Sequence, residues 1–468
     1  MGSLNVMPTY KAYFNLNTTL FSFNSAVQYV GGVVATPFAG YLADWLGRRR
    51  SITLSCVITI VGAILQGAAQ NVAMFIVGRF IIGFGMAIAQ TACPIYVAET
   101  VPLKHRPFAL GLYYACWNLG TILASSTSFG VRNYTSNWQW RIPSLIQVLP
   151  GVICMAIVMF LPESPRWLVY QDRHEEALEV LAIVGAQGDT EAPEIQLQYR
   201  EITDTLAFEK SRNLNLVQSW STKGNRKRLT LASTFSFIVM CGGSNVMVFY
   251  FGSMMSQAGI KDYKTQLKIS LSLSCWALSF AIFGSWLAGR VGRKPLCVVS
   301  LGGQTVFLFI FGGLVGKFGT SNNNSGIYAA IAMLFLFQAI HVIGVTPLTV
   351  LYPPEILSYE IRASGMALYT FTTKALGLVT VMVWPFSFKG IGWKTFMWNG
   401  GLNILMVIGV ILYWVETKGL TLEEIDELFD GVKHSDVPNL KEVSGKDNEI
   451  LISTEMIKDA SKHDGQAR

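Results

Sequence analysis

Carboxylates and guanidinium groups gather at a few points along these 468 residues, and they do so twice. Asp44, Glu99 and Glu163 fall near Arg48, Arg49, Arg106 and Arg166, while Glu355 and Glu416 fall near Arg293 and Arg362. The spacing repeats. Gly47-Arg48-Arg49 returns as Gly292-Arg293-Lys294, 245 residues on, and Tyr96, Glu99 and Arg106 return as Tyr352, Glu355 and Arg362 at an offset of 256. Glu163 returns as Glu416 at an offset of 253. Such pairs contribute little in water and more when desolvated, so a set expected to pair across the two halves when the inner side closes, and to separate when it opens, suits a two-state gate. The plainer reading is that charge merely anchors helix ends. Catalysis has no comparable support: there is no P-loop, zinc signature or nucleophile elbow. The seven cysteines lie in or beside apolar stretches without ligand spacing. No enzyme, cofactor or metal is expected.

Apolar helices must position these charges. The chain is 51% hydrophobic and 14% charged, too few charges to cover that much apolar surface in water. Eleven stretches reach the ~18 to 20 residues needed to cross ~30 Å of hydrocarbon. They run roughly over 20–42, 51–70, 73–97, 108–130, 142–161, 229–256, 269–289, 295–316, 327–352, 363–386 and 394–414. Helix is the form that leaves no backbone group unpaired in lipid. The expected fold is therefore all-α and multi-pass, with about eleven transmembrane helices in two pseudo-symmetric bundles. Residues 1–161 form an incomplete first bundle, 162–228 a cytoplasmic connector with short helices, 229–414 a second bundle, and 415–468 a cytoplasmic tail. Periodicity places a surface helix over 172–183 and amphipathic turns over 421–429. The second half opens with the stretch 229–256, whose counterpart falls mostly upstream of Met1; only Gly2-Ser3-Leu4 matches Gly252-Ser253-Met254. The expectation is a plan lacking its first helix, with poor transport or none.

Basic residues set the orientation. With the turn at 47–50 in the cytoplasm, inner segments hold 25 of the 36 Lys and Arg and outer segments nine; Arg79 and Lys374 lie inside spans. The +7 net charge follows from this topology and needs no nucleic-acid partner. Three glycosylation sequons, at Asn17, Asn133 and Asn323, all fall in outer loops. They favour the plasma membrane, with the tail in the cytoplasm.

Six strings stand out in order at the helix ends: GYLADWLGRRR (40–50), PIYVAETVPLKHR (94–106), QWRIPSLIQ (139–147), PESPRWL (162–168), YPPEILSYEIRASG (352–365) and ETKGLTLEEI (416–425). Together they resemble the sugar porter family of the major facilitator superfamily, most of all its fungal branch of lactose and cellodextrin permeases. The resemblance implies a monomeric secondary carrier of sugars or polyols in the lipid bilayer, working by alternating access, with protons as a coupling ion. It also implies that the charges above form an inner gate network. Two departures weaken the match: Gly289 stands where the family usually has an acid, and Pro107 where it has Gly.

The resemblance thins at the substrate site. Sugar recognition needs amides and hydroxyls to replace water on sugar hydroxyls, plus an aromatic face. Tyr114 stands at the family's fifth-helix Gln, Met240 and Cys241 at its seventh-helix Gln pair, and Val350 at its tenth-helix Trp. Asn245 matches the family's seventh-helix Asn, with Tyr250 following it. Gln28, Gln90, Asn118 and Thr346 are further polar candidates; the alternative for each is a helix-to-helix hydrogen bond. Arg79 is an intramembrane charge, which is costly without a partner. The family's partner is a first-helix Asp, so Arg79 is expected to be stranded or paired with an acid encoded upstream. Lys374 is expected to snorkel or to face the space between the bundles. The polar depletion keeps three other readings open: a non-transporting sensor or receptor, an inactive truncated relative, and a carrier of a non-sugar metabolite.

Overall fold

The computed structural model describes residues 2–101, 106–212, 220, 222–321, 323–357, 361–418 and 429, without the side chains of 106, 107, 194, 201, 205, 207–212, 362 and 363. The amphipathic turns expected over 421–429 lie outside these residues except for Phe429. Every regular element among the described residues is a helix. In the first half they are α1 (Gly2–Val6), α2 (Pro8–Tyr13), α3 (Thr18–Leu46), α4 (Arg48–Gly67), α5 (Val72–Thr100), α6 (Arg106–Gly130), α7 (Trp138–Leu145) and α8 (Val148–Phe160). The connector holds α9 (Pro165–Tyr170), α10 (His174–Gly185) and α11 (Pro193–Arg212). The second half holds α12 (Lys223–Cys241), α13 (Ser244–Gln257), α14 (Tyr263–Ala288), α15 (Arg293–Phe318), α16 (Asn324–Ile356), α17 (Arg362–Ile391) and α18 (Lys394–Tyr413).

Nine helical segments among the described residues are long and apolar enough to cross a membrane; α7 with α8 and α12 with α13 each make one of them. The other two expected crossings, α3 and α6, are helices of 29 and 25 residues with a more polar make-up. Both are packed among the rest. A Cβ added at Gly31 or Gly83 would strike the Phe80 or Gln28 carbonyl oxygen, so bare backbone is what lets α3 lie on α5. Gly62 and Gly78 do the same for α4 and α5, each 2.9 Å from the other's carbonyl oxygen by this measure.

The internal repeat is visible in the packing. Helix α1 lies on α13: a Cβ at Gly2 would sit 2.7 Å from Val248 O, and one at Gly252 2.8 Å from Val6 Cγ2. Asn5 Nδ2 donates to Phe249 O at 2.9 Å. Between α12 and α13 the helix breaks at Gly243 (φ 101°), and the backbone departs again from helical geometry at Tyr250 (φ −123°, ψ 28°). A break in the membrane frees carbonyls that water cannot satisfy. Two amides of α18 take them: Asn399 Nδ2 donates to Cys241 O at 2.7 Å and Asn403 Nδ2 to Gly242 O at 3.2 Å.

The halves meet along α3 and α17. The Tyr29 ring lies where a Cβ at Gly377 would be, and one turn further in, the Lys374 stem lies over Gly32 with Cδ 3.1 Å from its would-be Cβ. The connector helices share a small core of Trp167, Leu168, Val169, Ala177, Val180 and Leu206. Helix α10 realises the expectation for 172–183.

Candidate functional site

The charge network resolves into two copies of one module. In the first half, Arg48 Nε and Nη2 make a forked pair with Glu99 at 3.0 and 3.2 Å. These side chains are only 12% and 10% exposed, so the pair is largely desolvated. Arg48 also meets Asp44 at 3.2 Å, but Asp44 is 66% exposed and that contact contributes little. Glu163 serves a different purpose. Its Oε1 accepts the backbone N–H groups of Arg48 and Arg49, both at 3.0 Å, at the start of α4, where the helix dipole favours an anion. Gly47 (φ 90°) makes room: a Cβ there would sit 2.5 Å from Glu163 Oε2.

The second half repeats the forked pair and the capping glutamate, while the Asp44 contact has no counterpart because Gly289 stands at that place. Arg293 Nε and Nη2 fork onto Glu355 at 3.0 and 2.7 Å. Glu416 accepts the N–H groups of Arg293 at 2.8 Å and Lys294 at 3.1 Å, at the start of α15. A Cβ at Gly292 would strike the Glu416 carboxylate. Two further correspondences escape a reading by charge alone. Ser164 Oγ donates to Glu99 Oε2 at 2.5 Å, as Thr417 Oγ1 donates to Glu355 Oε2 at 2.6 Å. Tyr96 OH donates to Pro162 O at 2.8 Å, as Tyr352 OH donates to Val415 O at 3.4 Å. Ser164 and Thr417 share the 253-residue offset of their neighbours Glu163 and Glu416, a signal open to anyone aligning the halves.

Each of these ion pairs joins residues of the same half. The side chains of Arg106 and Arg362 lie outside the described residues, and Arg166 is engaged in contacts of its own. The connector is tied to the first module, because Trp167 Nε1 donates to Asp44 O at 2.7 Å.

Nearer the middle of the membrane the candidates scatter into two groups and some single contacts. Asn245, on the first turn of α13, donates through Nδ2 to Met240 O at 3.2 Å and to Thr380 Oγ1 at 3.5 Å. Its Oδ1 accepts from Tyr29 OH at 3.4 Å, across the halves. Tyr29 was not singled out by sequence, because a Tyr in an apolar helix has no signature. The second group is Lys374 with Gln90, whose Oε1 accepts from the ammonium; the lysine thus faces the other half and does not snorkel. Tyr114 lies beside Thr349 of the other half, whose hydroxyl donates to Val345 O at 2.9 Å. Tyr250 is spent on Val381 O at 2.7 Å, Gln28 on Met86 Sδ at 2.8 Å and Thr346 on His341 O at 3.5 Å. Asn118 is buried on α6, with its backbone carbonyl accepting from Thr121.

Arg79 is not stranded. Its guanidinium lies over the Phe75 ring at 4.7 Å and bonds the Tyr10 phenol. Burial pushes the Tyr10 pKa up, outweighing the pull of Arg79 and of the bond from Asn24, so the phenol stays neutral. The sequons at Asn17, Asn133 and Asn323 are exposed, and Asn17 and Asn323 also cap α3 and α16 through Oδ1.

This arrangement of helices recurs in solved transporters. A xylose–proton symporter, XylE from E. coli, bound to 6-bromo-6-deoxy-D-glucose, superposes with a TM-score of 0.77 at 19% identity, over 92% of this chain and 95% of that one. Among curated proteins, the MFS glucose transporter mfs1 of Aspergillus flavus is 30% identical over 424 residues, 86% of this chain and 80% of its own. The high-affinity glucose transporter of Kluyveromyces lactis is 29% identical over 454 residues, 92% of this chain and 81% of its own. The family profile described as sugar (and other) transporter matches residues 4–429. With that match spanning both charge modules and every helix between them, the chain belongs to the sugar transporter family of the major facilitator superfamily.

Proposed function

We propose that this protein carries glucose or a similar hexose or polyol across a membrane by alternating access, with residues 1–161 and 229–414 as its two moving halves. One observation supports this most: the same Arg–Glu–Glu module closes the inner helix ends of both halves. A carrier that rocks about a central site needs two matched, rigid ends, and desolvated forked pairs supply that rigidity. The polar group of Tyr29, Asn245 and Thr380 lies between them, where the broken helix exposes an amide to the partner half. The relatives named as glucose transporters support a hexose as cargo.

The plasma membrane, a cytoplasmic tail, glycans on the three sequons and a monomeric carrier belong to the same proposal. The decisive measurement is uptake of radiolabelled glucose by purified protein in liposomes, with and without an imposed proton gradient. Saturable uptake abolished by excess cold glucose is expected, and stimulation by the gradient identifies protons as the coupling ion. Absence of saturable uptake by correctly folded, inserted protein for glucose, xylose and sorbitol alike sinks the proposal.

A further inference from the structure

None of the 29 acidic residues lies in the eleven apolar segments, yet Lys374 lies in the middle of one. A charge at that depth is costly and is retained where it meets a partner or lines a solute path. Its hydrogen-bonding partner is Gln90 Oε1, a neutral amide oxygen in the opposite half. An ammonium carries three donors and one amide acceptor occupies one of them. The positive charge is therefore solvated in part and compensated by no carboxylate among the described residues. Its position is a built one: Gly32, lacking a side chain, gives the stem a bed, with Cδ 3.1 Å and Cε 3.4 Å from where a Cβ would be. Both Lys374 and Gln90 are half-buried. The lipid-facing residues of the same helix, Val379 and Val383, are about half exposed, at 56% and 48%.

One turn along α3 and α17, about 5 Å away by helix geometry, Tyr29 packs on Gly377 and its hydroxyl meets Asn245. A cation and a hydroxyl-binding group thus stand one sugar ring apart, both in the contact between the halves. We infer that the cargo is an anionic polyol, a sugar acid whose carboxylate pairs with Lys374 while its hydroxyls exchange with Tyr29, Asn245 and Thr380. This inference rests on the transport reading above and narrows its substrate class. A single ammonium matches a monocarboxylate, and in an otherwise acid-free path it holds such a solute more tightly than its neutral analogue.

The probes are glucose and glucuronate, which differ by a CH2OH exchanged for a carboxylate, with glucose 6-phosphate as a dianionic arm. Uptake of each is measured in liposomes for the wild type, Lys374→Gln and Gln90→Glu. The expected result is wild-type preference for glucuronate, with the glucuronate-to-glucose ratio falling about tenfold or more in both variants. Lys374→Gln removes the charge, whereas Gln90→Glu supplies an internal carboxylate that competes with the solute. Melting of the purified protein gives a second readout: glucuronate raises the wild-type transition more than glucose does, and loses that advantage in either variant that folds. Glucose uptake without glucuronate uptake or binding overturns the inference and leaves the transport reading intact. A ratio unchanged in both variants, or a preference for glucose 6-phosphate, also overturns it. No uptake or binding of any of the three overturns both readings.

Discussion

Replacing Gly292 by alanine tests the matched modules most sharply. Its φ is −63°, ordinary for any residue, so no backbone strain enters. The new Cβ would overlap the Glu416 carboxylate, whose carbon lies 2.8 Å and Oε1 3.1 Å from its position. To reach ordinary contact the carboxylate must recede by about 1 Å. The bonds from Arg293 N and Lys294 N, now 2.8 and 3.1 Å, would then stretch to about 4 Å and cease to be hydrogen bonds. Two bonds to a charged acceptor are worth ~1.5 kcal/mol each, and the half-exposed position of Glu416 reduces the total to about 2 kcal/mol. A melting temperature lower by about 2 to 4 °C is expected in detergent. Gly289→Ala in the same turn is the control, because its Cβ would meet nothing nearer than Trp286 O at 3.7 Å. Glu416→Asp alone, which withdraws the carboxylate by one methylene from Arg293 N and Lys294 N, is expected to cost about as much, because the same two bonds are lost. Equal melting of the two alanine variants would refute the reasoning.

Three other outcomes follow from the geometry. Ser164→Ala and Thr417→Val each remove the hydroxyl that donates to the module's glutamate, and matched losses of about 1 kcal/mol in denaturation are expected; a large effect in one alone would break the pseudo-symmetry. Tyr10→Phe takes away the phenol that bonds the buried Arg79, lowering the melting temperature by several degrees, whereas Tyr13→Phe, whose hydroxyl meets the exposed Gln70 carbonyl, is expected to do much less. Asp262 caps α14, and the Thr265 hydroxyl and N–H hold its carboxyl below the usual range. A depressed folded-state pKa means the cap contributes fully above the unfolded value of about 3.9 and is lost as pH falls through the folded one. The melting difference between wild type and Asp262→Ala is therefore expected to be constant from pH 7 to 5 and to shrink in more acidic buffer.

The sequence carried the modules because their charges sit in rigid turns at fixed offsets. Arg48 and Arg293, Glu99 and Glu355, and Glu163 and Glu416 can be paired by subtraction, and in the structure the members of each pair have the same partners in their own half. Apolar length likewise located the spans, although α3 and α6 hold enough polar residues to blunt that signal. The middle of the membrane was less legible. Hydrogen bonds there join helices far apart in sequence, so Tyr29 and Asn245 meet only once α3 and α13 are placed. Tyr250 and Gln28 read equally well as site residues and as helix ties, and their bonds to Val381 and Met86 follow from packing that no local pattern encodes. The Arg79 partner was sought among acids, since charge dominates such reasoning, whereas a buried phenol and an aromatic ring meet it here.

The indole bond from Trp167 to the last turn of α3 also has a mechanical side. Together with the proline-bounded start of α9, it makes the connector a lever attached to the first half. Any rotation of that half then sweeps α10, whose outer residue Ile183 is 66% exposed. A spin label at Ile183 and a second at Leu412, 67% exposed on α18, would sit on opposite arms of the machine. The distance between them reports the stroke of the transport cycle from outside the solute path, without a label touching the site.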